Sequence, residues 1–405
     1  MNKITRILLG IFFLGIAASS GAAGTTTNYF ATLIGKSRAQ TDAKLQAAFE
    51  QYFLKDDPAG PTEQGKRLYF PKGADEAVIW SGQASGKDFY VITEGQSYGM
   101  MIAVQMNRQD LFDRLWRFVK RHLQHPSGDR KGYTCWKALG NGTCGKNPGN
   151  ENPATDGEEY FATALLFASS RWGTAGAINY EAEAQALLDL MRTGPSKNAT
   201  GITAMFDART FLPVFSPIGA AADFTLPAYN LPAFFEIWAA RAKNGKDFWR
   251  KAAEKSRAFH AASFDPRTGL SPYMATFDGK PYKGGPDFND DSSRAIMNLA
   301  MDQVWFGKNP GAPALADRLL GFFYKEGVRN FKQEYTLAGR PKVAWQSTST
   351  VAMAATGAMI STLPLRKEFV QRFWDTPVPE GKYRYFNGLM YMLAMLNLSG
   401  SYQIY

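Results

Sequence analysis

The sequence has 405 residues, 45% of them apolar and 14% aromatic, with a formal net charge of +10. That much apolar mass buries a sizeable core and excludes disorder, while 38 glycines and 21 prolines without a period exclude a collagen-like or low-complexity chain. The charges are interspersed with acids rather than clustered beside aromatics, which argues against a nucleic-acid partner.

Residues 1–23 read as a cleavable signal peptide. Lys3 and Arg6 supply the basic start, Ile7 to Ala18 is apolar, and small residues follow from Ser19 to Gly24. The apolar run is shorter than the roughly 20 residues a membrane span needs, so no membrane anchor is expected. Loss of this segment leaves 44 basic against 36 acidic side chains, a balance of +8. Residues 24–405 carry no linker-like stretch and are expected to form a single domain, secreted or periplasmic.

Apolar residues recur at helical spacing along most of the chain. The pattern predicts twelve helices: Ser37 to Lys55, Gln96 to Arg108, Asp110 to Leu123, Gly157 to Trp172, Tyr180 to Arg192, Leu231 to Lys243, Lys246 to Ser263, Ser292 to Phe306, Ala312 to Glu326, Ser347 to Ile360, Arg366 to Trp374 and Phe386 to Leu398. Strand signals are confined to Ala77 to Trp80 and Phe89 to Ile92. Four long connections (Lys55 to Glu94, Pro126 to Asp156, Thr193 to Asn230 and Asp265 to Asp290) are rich in Gly, Pro, Asp and aromatics, as functional loops often are. Helices in hairpin order with long loops between pairs suit one all-α toroid.

Cys135 and Cys144 stand nine positions apart in a glycine-containing stretch. In an oxidising compartment they are expected to form a local disulfide, two free thiols being the alternative. With these cysteines and three histidines (His122, His125, His260), no metal site or cofactor is expected.

Three acids stand where long loops meet helices: Glu94 in TEGQSYGMM, Asp156 in ATDGEEYF and Asp291 in FNDDSSRAIM. Taken singly, each reads as helix-end chemistry. Thr93 with Gln96 and Thr155 with Glu158 have capping-box spacing, and first-turn carboxylates suit the helix dipole. Taken together, in a toroid of hairpins, they fall on one face among Tyr98, Trp136, Tyr160, Tyr229 and Tyr385. Carboxyl pairs cleave glycosidic bonds and aromatic faces receive sugar rings, so a carbohydrate groove is expected. Glu94, beside Ile92, Tyr98 and Met100, is the better placed to hold a proton.

The segments TEGQSYGMMIAVQMNRQDLFDRLWRF, PATDGEEYFATALLFASSRWG, LPAYNLPAFFEIWA, DDSSRAIMNLAMD and GKYRYFNGLMYML resemble glycoside hydrolase family 8, most closely its xylan-degrading branch. The resemblance spans about Tyr69 to Tyr405. It implies an (α/α)6 barrel and an inverting mechanism. In that mechanism Glu94 is the general acid, Asp291 the general base, and Asp156 the acid holding a distorted sugar. It further implies that Tyr229 orients the water and that Arg294 stands near the base. Trp136 and Tyr385 would be sugar platforms; Tyr98 is expected in the substrate site from its place among the aromatics around the acids, not from the resemblance. An inverting carboxyl pair stands roughly 6.5 to 9.5 Å apart.

Departures from the family pattern are Asp290 directly before Asp291, which leaves two candidates for the base, Ser293 in place of an aromatic, Asn387 where relatives often carry an acid, and the two cysteines. Some members release xylose from reducing ends with the help of a loop histidine, and the corresponding Phe331 to Gln346 has none. The expectation is therefore an endo-β-1,4-xylanase, monomeric, acting on xylan or xylooligosaccharides. A β-1,4-glucanase, a reducing-end exo-oligoxylanase and a non-catalytic glycan-binding protein are the alternatives.

Overall fold

The computed structural model describes residues 27–86, 88–145, 147, 149–195 and 201–405. The expected signal peptide lies outside the described residues. Thirteen α-helices occur among the described residues: α1 (Tyr29–Ile34), α2 (Arg38–Phe49), α3 (Thr93–Gln105), α4 (Gln109–Phe118), α5 (Thr155–Trp172), α6 (Tyr180–Thr193), α7 (Pro232–Arg241), α8 (Lys246–Ser263), α9 (Asp290–Phe306), α10 (Ala312–Glu326), α11 (Thr348–Gly357), α12 (Arg366–Trp374) and α13 (Arg384–Ser399). The twelve expected helices are all present. The addition is the short α1, capped by Asn28 and Gly35.

Two kinds of helix sort themselves by sequence. In α4, Leu111, Phe112, Leu115, Trp116 and Phe118 are buried while Asp110 and Arg114 face outward, an amphipathic stripe that covers a neighbour. In α3, by contrast, all thirteen residues except Glu94 are buried, so the helix must be surrounded by protein. The helices α3, α5, α7, α9, α11 and α13 touch in cyclic order, with α13 closing back on α3. Against them pack α4, α6, α8, α10, α12 and α2 respectively. The architecture is an (α/α)6 barrel.

The order of connections decides where function can sit. The inner helices α3, α5, α7, α9 and α11 each pass to the following outer helix by a short connection, such as residues 106–108 or 242–245, while α13 packs against α2 from the start of the barrel. Each outer helix returns by a long loop to the start of an inner helix. All six inner N-termini and their loops therefore share one face. Two small antiparallel pairs decorate that face: β1 (Tyr69–Lys72) with β2 (Glu76–Ile79), and β3 (Tyr90–Ile92) with β4 (Lys137–Leu139). The expected strands correspond to β2 and β3.

The two expected capping boxes are absent. Thr93 and Thr155 are the first residues inside α3 and α5, and neither helix has a side-chain cap. The Thr93 amide instead donates to the Trp136 carbonyl at 2.9 Å, and the Thr155 hydroxyl donates to the Val214 carbonyl at 2.6 Å. Gln96 is spent on Ile79, Ala77 and Leu115, and Glu158 on Thr134. Tertiary partners take the groups that a cap would use.

α3 and α5 approach closely at this point. A Cβ on Gly157 would lie 2.7 Å from Thr93 Oγ1 and 2.8 Å from Thr93 Cβ. Gly157→Ala is expected to cost about 1–3 kcal/mol of stability through overpacking, measured as a lower urea midpoint with an unchanged slope.

Candidate active site

Glu94, Asp156 and Asp291 are each the second residue of an inner helix, α3, α5 and α9. One guanidinium gathers them. Arg294, one turn into α9, donates from Nη1 to Glu94 Oε2 at 2.6 Å, to Asp156 Oδ2 at 3.1 Å and to the Tyr98 hydroxyl at 2.7 Å. Its Nη2 donates to Asp291 Oδ1 at 3.2 Å. The Tyr385 hydroxyl, from the second residue of α13, donates to Glu94 Oε1 at 2.7 Å. A charged group this deeply buried is tolerated because carboxylates and hydroxyls surround it.

The three carboxyls differ in environment. Side-chain exposure is 13% for Glu94 and 7% for Asp156, but 39% for Asp291. Burial pushes the Glu94 carboxyl up to about 7; the Arg294 guanidinium pulls against this, and the charges of Asp156 and Asp291 add to it. Burial also raises Asp156, opposed by Arg294 and by the Gly157 amide, which donates to its Oδ1. Asp291 is the acid open to solvent.

Asp290 is not placed like its neighbour. Its Oδ1 accepts hydrogen bonds from Ser347 (2.7 Å), Ser349 (2.6 Å) and Thr350 (2.9 Å), fastening the start of α9 to the start of α11. Asn289 and Ser292 form a reciprocal cap there, so the first turn of α9 is fixed and Asp291 is left facing the cavity. Asn387 accepts from the Ser349 amide at 2.8 Å and serves the same junction.

The acids open into a cavity of about 470 Å³ lined by Trp136, Asn150, Asn152, Phe215, Tyr229 and Tyr273, with Glu94, Asp156, Asp291 and Arg294 at its base. Tyr229 stacks on Phe215 at 6.1 Å between ring centroids, and Arg294 lies 5.8 Å from the Tyr229 ring. All eight residues expected from the sequence converge, though not in equivalent ways. Tyr98, expected to touch substrate, is buried beneath the site, where it holds Arg294 and packs edge-on against Tyr160 at 4.5 Å. Tyr385 meets the site as the hydrogen-bond partner of Glu94. Sequence reasoning missed Tyr273, Phe215, Asn150 and Asn152; the length of their loops marked the region but not the residues. Cys135 and Cys144 form a disulfide beside Trp136, with Cα atoms 6.1 Å apart.

The sequence matches the description of glycosyl hydrolases family 8 over residues 79–400. The chain belongs to glycosyl hydrolase family 8. It is 35% identical over 400 residues to the reducing-end xylose-releasing exo-oligoxylanase Rex8A of Paenibacillus barcinonensis, covering 95% of this chain and 99% of that protein. To Endoglucanase 2 of Ruminiclostridium josui it is 30% identical over 342 residues, covering 84% and 70%. Among solved structures, a family 8 xylobiose complex from Teredinibacter turnerae superposes with a TM-score of 0.85 at 36% identity, covering 94% and 98%. The chain is a glycoside hydrolase.

Removing the central cation should leave three clustered carboxyls without their counter-charge. Arg294→Met is expected to lose about 3–5 kcal/mol of stability at pH 7. The loss should shrink at pH 4, where the raised carboxyls take up protons and the uncompensated charge disappears; urea titrations at both pH values measure the difference.

Proposed function

We propose that this glycoside hydrolase cleaves β-1,4-xylooligosaccharides with inversion and releases xylose from their reducing ends. The observation that carries this reading is the near full-length similarity to Rex8A and to a second reducing-end exo-oligoxylanase, from Halalkalibacterium halodurans, 34% identical over 92% of both chains. The endoglucanases it resembles are matched over smaller shares of their length. The sequence-based expectation of endo cleavage thus has less support than the exo alternative. The Cys135–Cys144 disulfide is in keeping with export to an oxidising compartment.

In the proposed reaction Glu94 is the general acid. Its Oε2 is held by Arg294, so the transferable proton belongs on Oε1, where the Tyr385 hydroxyl can turn to accept rather than donate. That proton passes to the glycosidic oxygen as its bond to C1 breaks. Asp291, open to solvent, takes a proton from a water molecule whose oxygen bonds C1 from the opposite face. Asp156 holds the sugar between them, Tyr229 helps to orient the water, and Trp136 receives a sugar ring. Asp290, with three hydroxyls on one oxygen, is a helix fastener in this reading.

A second reading, internal cleavage of xylan, is favoured by one observation. The loop before α11 has no histidine, and Trp345 in that loop is 58% exposed, an open surface on which a longer chain could rest. A product time course separates the two. Xylotetraose should give xylose and xylotriose, its alditol should resist, and the viscosity of soluble xylan should hold. Falling viscosity with mixed short products would transfer the assignment to endo cleavage, and proton NMR should show the α-anomer first if inversion is right.

Glu94→Gln and Asp291→Asn are each expected to lower kcat by about 10²- to 10⁴-fold with oligosaccharide binding kept. Asp290→Asn should lower thermal stability more than kcat; the reverse order would reassign the base. Because the acid must be protonated, kcat/KM should fall as pH rises through about 7, the value to which burial lifts Glu94, and this limb should vanish in the Gln variant's residual activity.

A further inference from the structure

Glu158 is fully buried in the first turns of α5, two residues beyond Asp156, and no step of the proposed reaction uses it. Its Oε1 accepts two hydrogen bonds from Thr134, from the amide at 2.9 Å and from the hydroxyl at 2.7 Å. Its Oε2 meets no protein donor or acceptor. A buried carboxyl with one bare oxygen is best accommodated as the neutral acid. Burial accordingly pushes it up to about 8.

What Glu158 holds matters more than that it is buried. From Thr134 the chain runs through Cys135, tied to Cys144, to Trp136, whose ring lines the cavity. The Trp136 carbonyl accepts from the Thr93 amide at 2.9 Å, and its amide donates to the Asn152 carbonyl at 3.0 Å. Thr93 directly precedes Glu94. The three-residue strip is therefore a strap with one end on α5 beside Asp156 and the other on α3 beside Glu94, and the sugar-facing indole hangs from it. Here the helices are closest, with Gly157 against Thr93.

We propose that Glu158 is a positioning residue, its carboxyl fixing the Thr134–Trp136 strap so that Trp136 stands at the height of a bound sugar ring. The proposal rests on the reading of Trp136 as a sugar platform. Truncating the Glu158 side chain to a methyl group leaves the Thr134 amide and hydroxyl buried without their acceptor, and the strap can relieve this by moving. A glutamine keeps the acceptor at Oε1. The Arg294 hydrogen bonds that gather the three acids do not involve the strap.

The test is steady-state kinetics on xylotriose with a double-mutant cycle. Glu158→Ala should raise KM about tenfold or more while kcat changes less than about threefold. Glu158→Gln should bring KM most of the way back. In a Trp136→Ala background, Glu158→Ala should add little further to KM, because the platform it positions is already gone. An unchanged KM in folded Glu158→Ala, or effects that multiply in full with those of Trp136→Ala, would overturn the proposal. Should Glu158→Ala not fold, Thr134→Val, which removes one of the two hydrogen bonds, should show a smaller rise in KM in the same direction, and no rise would overturn it. If Trp136→Ala by itself leaves KM unchanged, the platform reading fails, a result distinct from failure of the positioning role.

Discussion

A single buried guanidinium holds the active face of this barrel together. Arg294 donates to Glu94, Asp156, Asp291 and Tyr98, groups carried by three inner helices. Without a cation, three carboxyls at the mouth of an apolar barrel would repel one another and resist burial. With one cation among three acids, the cluster cannot balance every charge, and a proton on one of them is the economical state. Glu94, raised by burial to about 7 and with the Tyr385 hydroxyl to share that proton, is placed to carry it. The arginine thus binds the fold and biases which acid carries the proton.

The barrel supplies the setting. Because every inner helix is entered from the connection that leaves an outer helix, all six inner N-termini lie on one face. The second residue of each is turned toward related surroundings, and four of the six contribute directly: Glu94, Asp156, Asp291 and Tyr385. In α11 that position is Ser349, which binds Asp290 and so steadies α9. The adjacent acids Asp290 and Asp291 are separated in role by one residue of helical rotation, which turns one to the α11 hydroxyls and the other to the cavity.

Much of this was legible in the sequence. The apolar period located the helices because inner helices are apolar on every side and outer ones carry a stripe. The three acids stood out because they end long loops, and the family segments named Arg294. The errors were of a particular kind. Thr93 and Thr155 carry capping-box spacing, yet they donate to carbonyls far along the chain, and the side chains of Gln96 and Glu158 likewise bond to residues outside their own helices. Local spacing is silent about such partners. β1 and β4 are as short as β2 and β3 but lack the β-branched residues that marked those two, and α1 has only six residues. Tyr273 and Phe215 reach the cavity from irregular loops, where no period exists to read.

Helix position by itself would give the wrong acid chemistry. A carboxyl in a first turn is favoured in its charged form by about 0.3–1 kcal/mol, less than one pKa unit. Glu94, Asp156 and Asp291 share that influence equally, so it cannot divide them into the donor, holder and base proposed for them. The division comes from what each helix start packs against. Glu94 lies between Tyr385 and Arg294 with little solvent, and burial outweighs both the dipole and the cation to leave it near 7. Asp156 is as deeply buried but accepts hydrogen bonds from the Gly157 amide and from the arginine. Asp291 keeps over a third of its side chain in contact with solvent, which is where a carboxylate that must meet water belongs. Three copies of one local motif become three chemical groups through their neighbours, and those neighbours are brought by the inner helices.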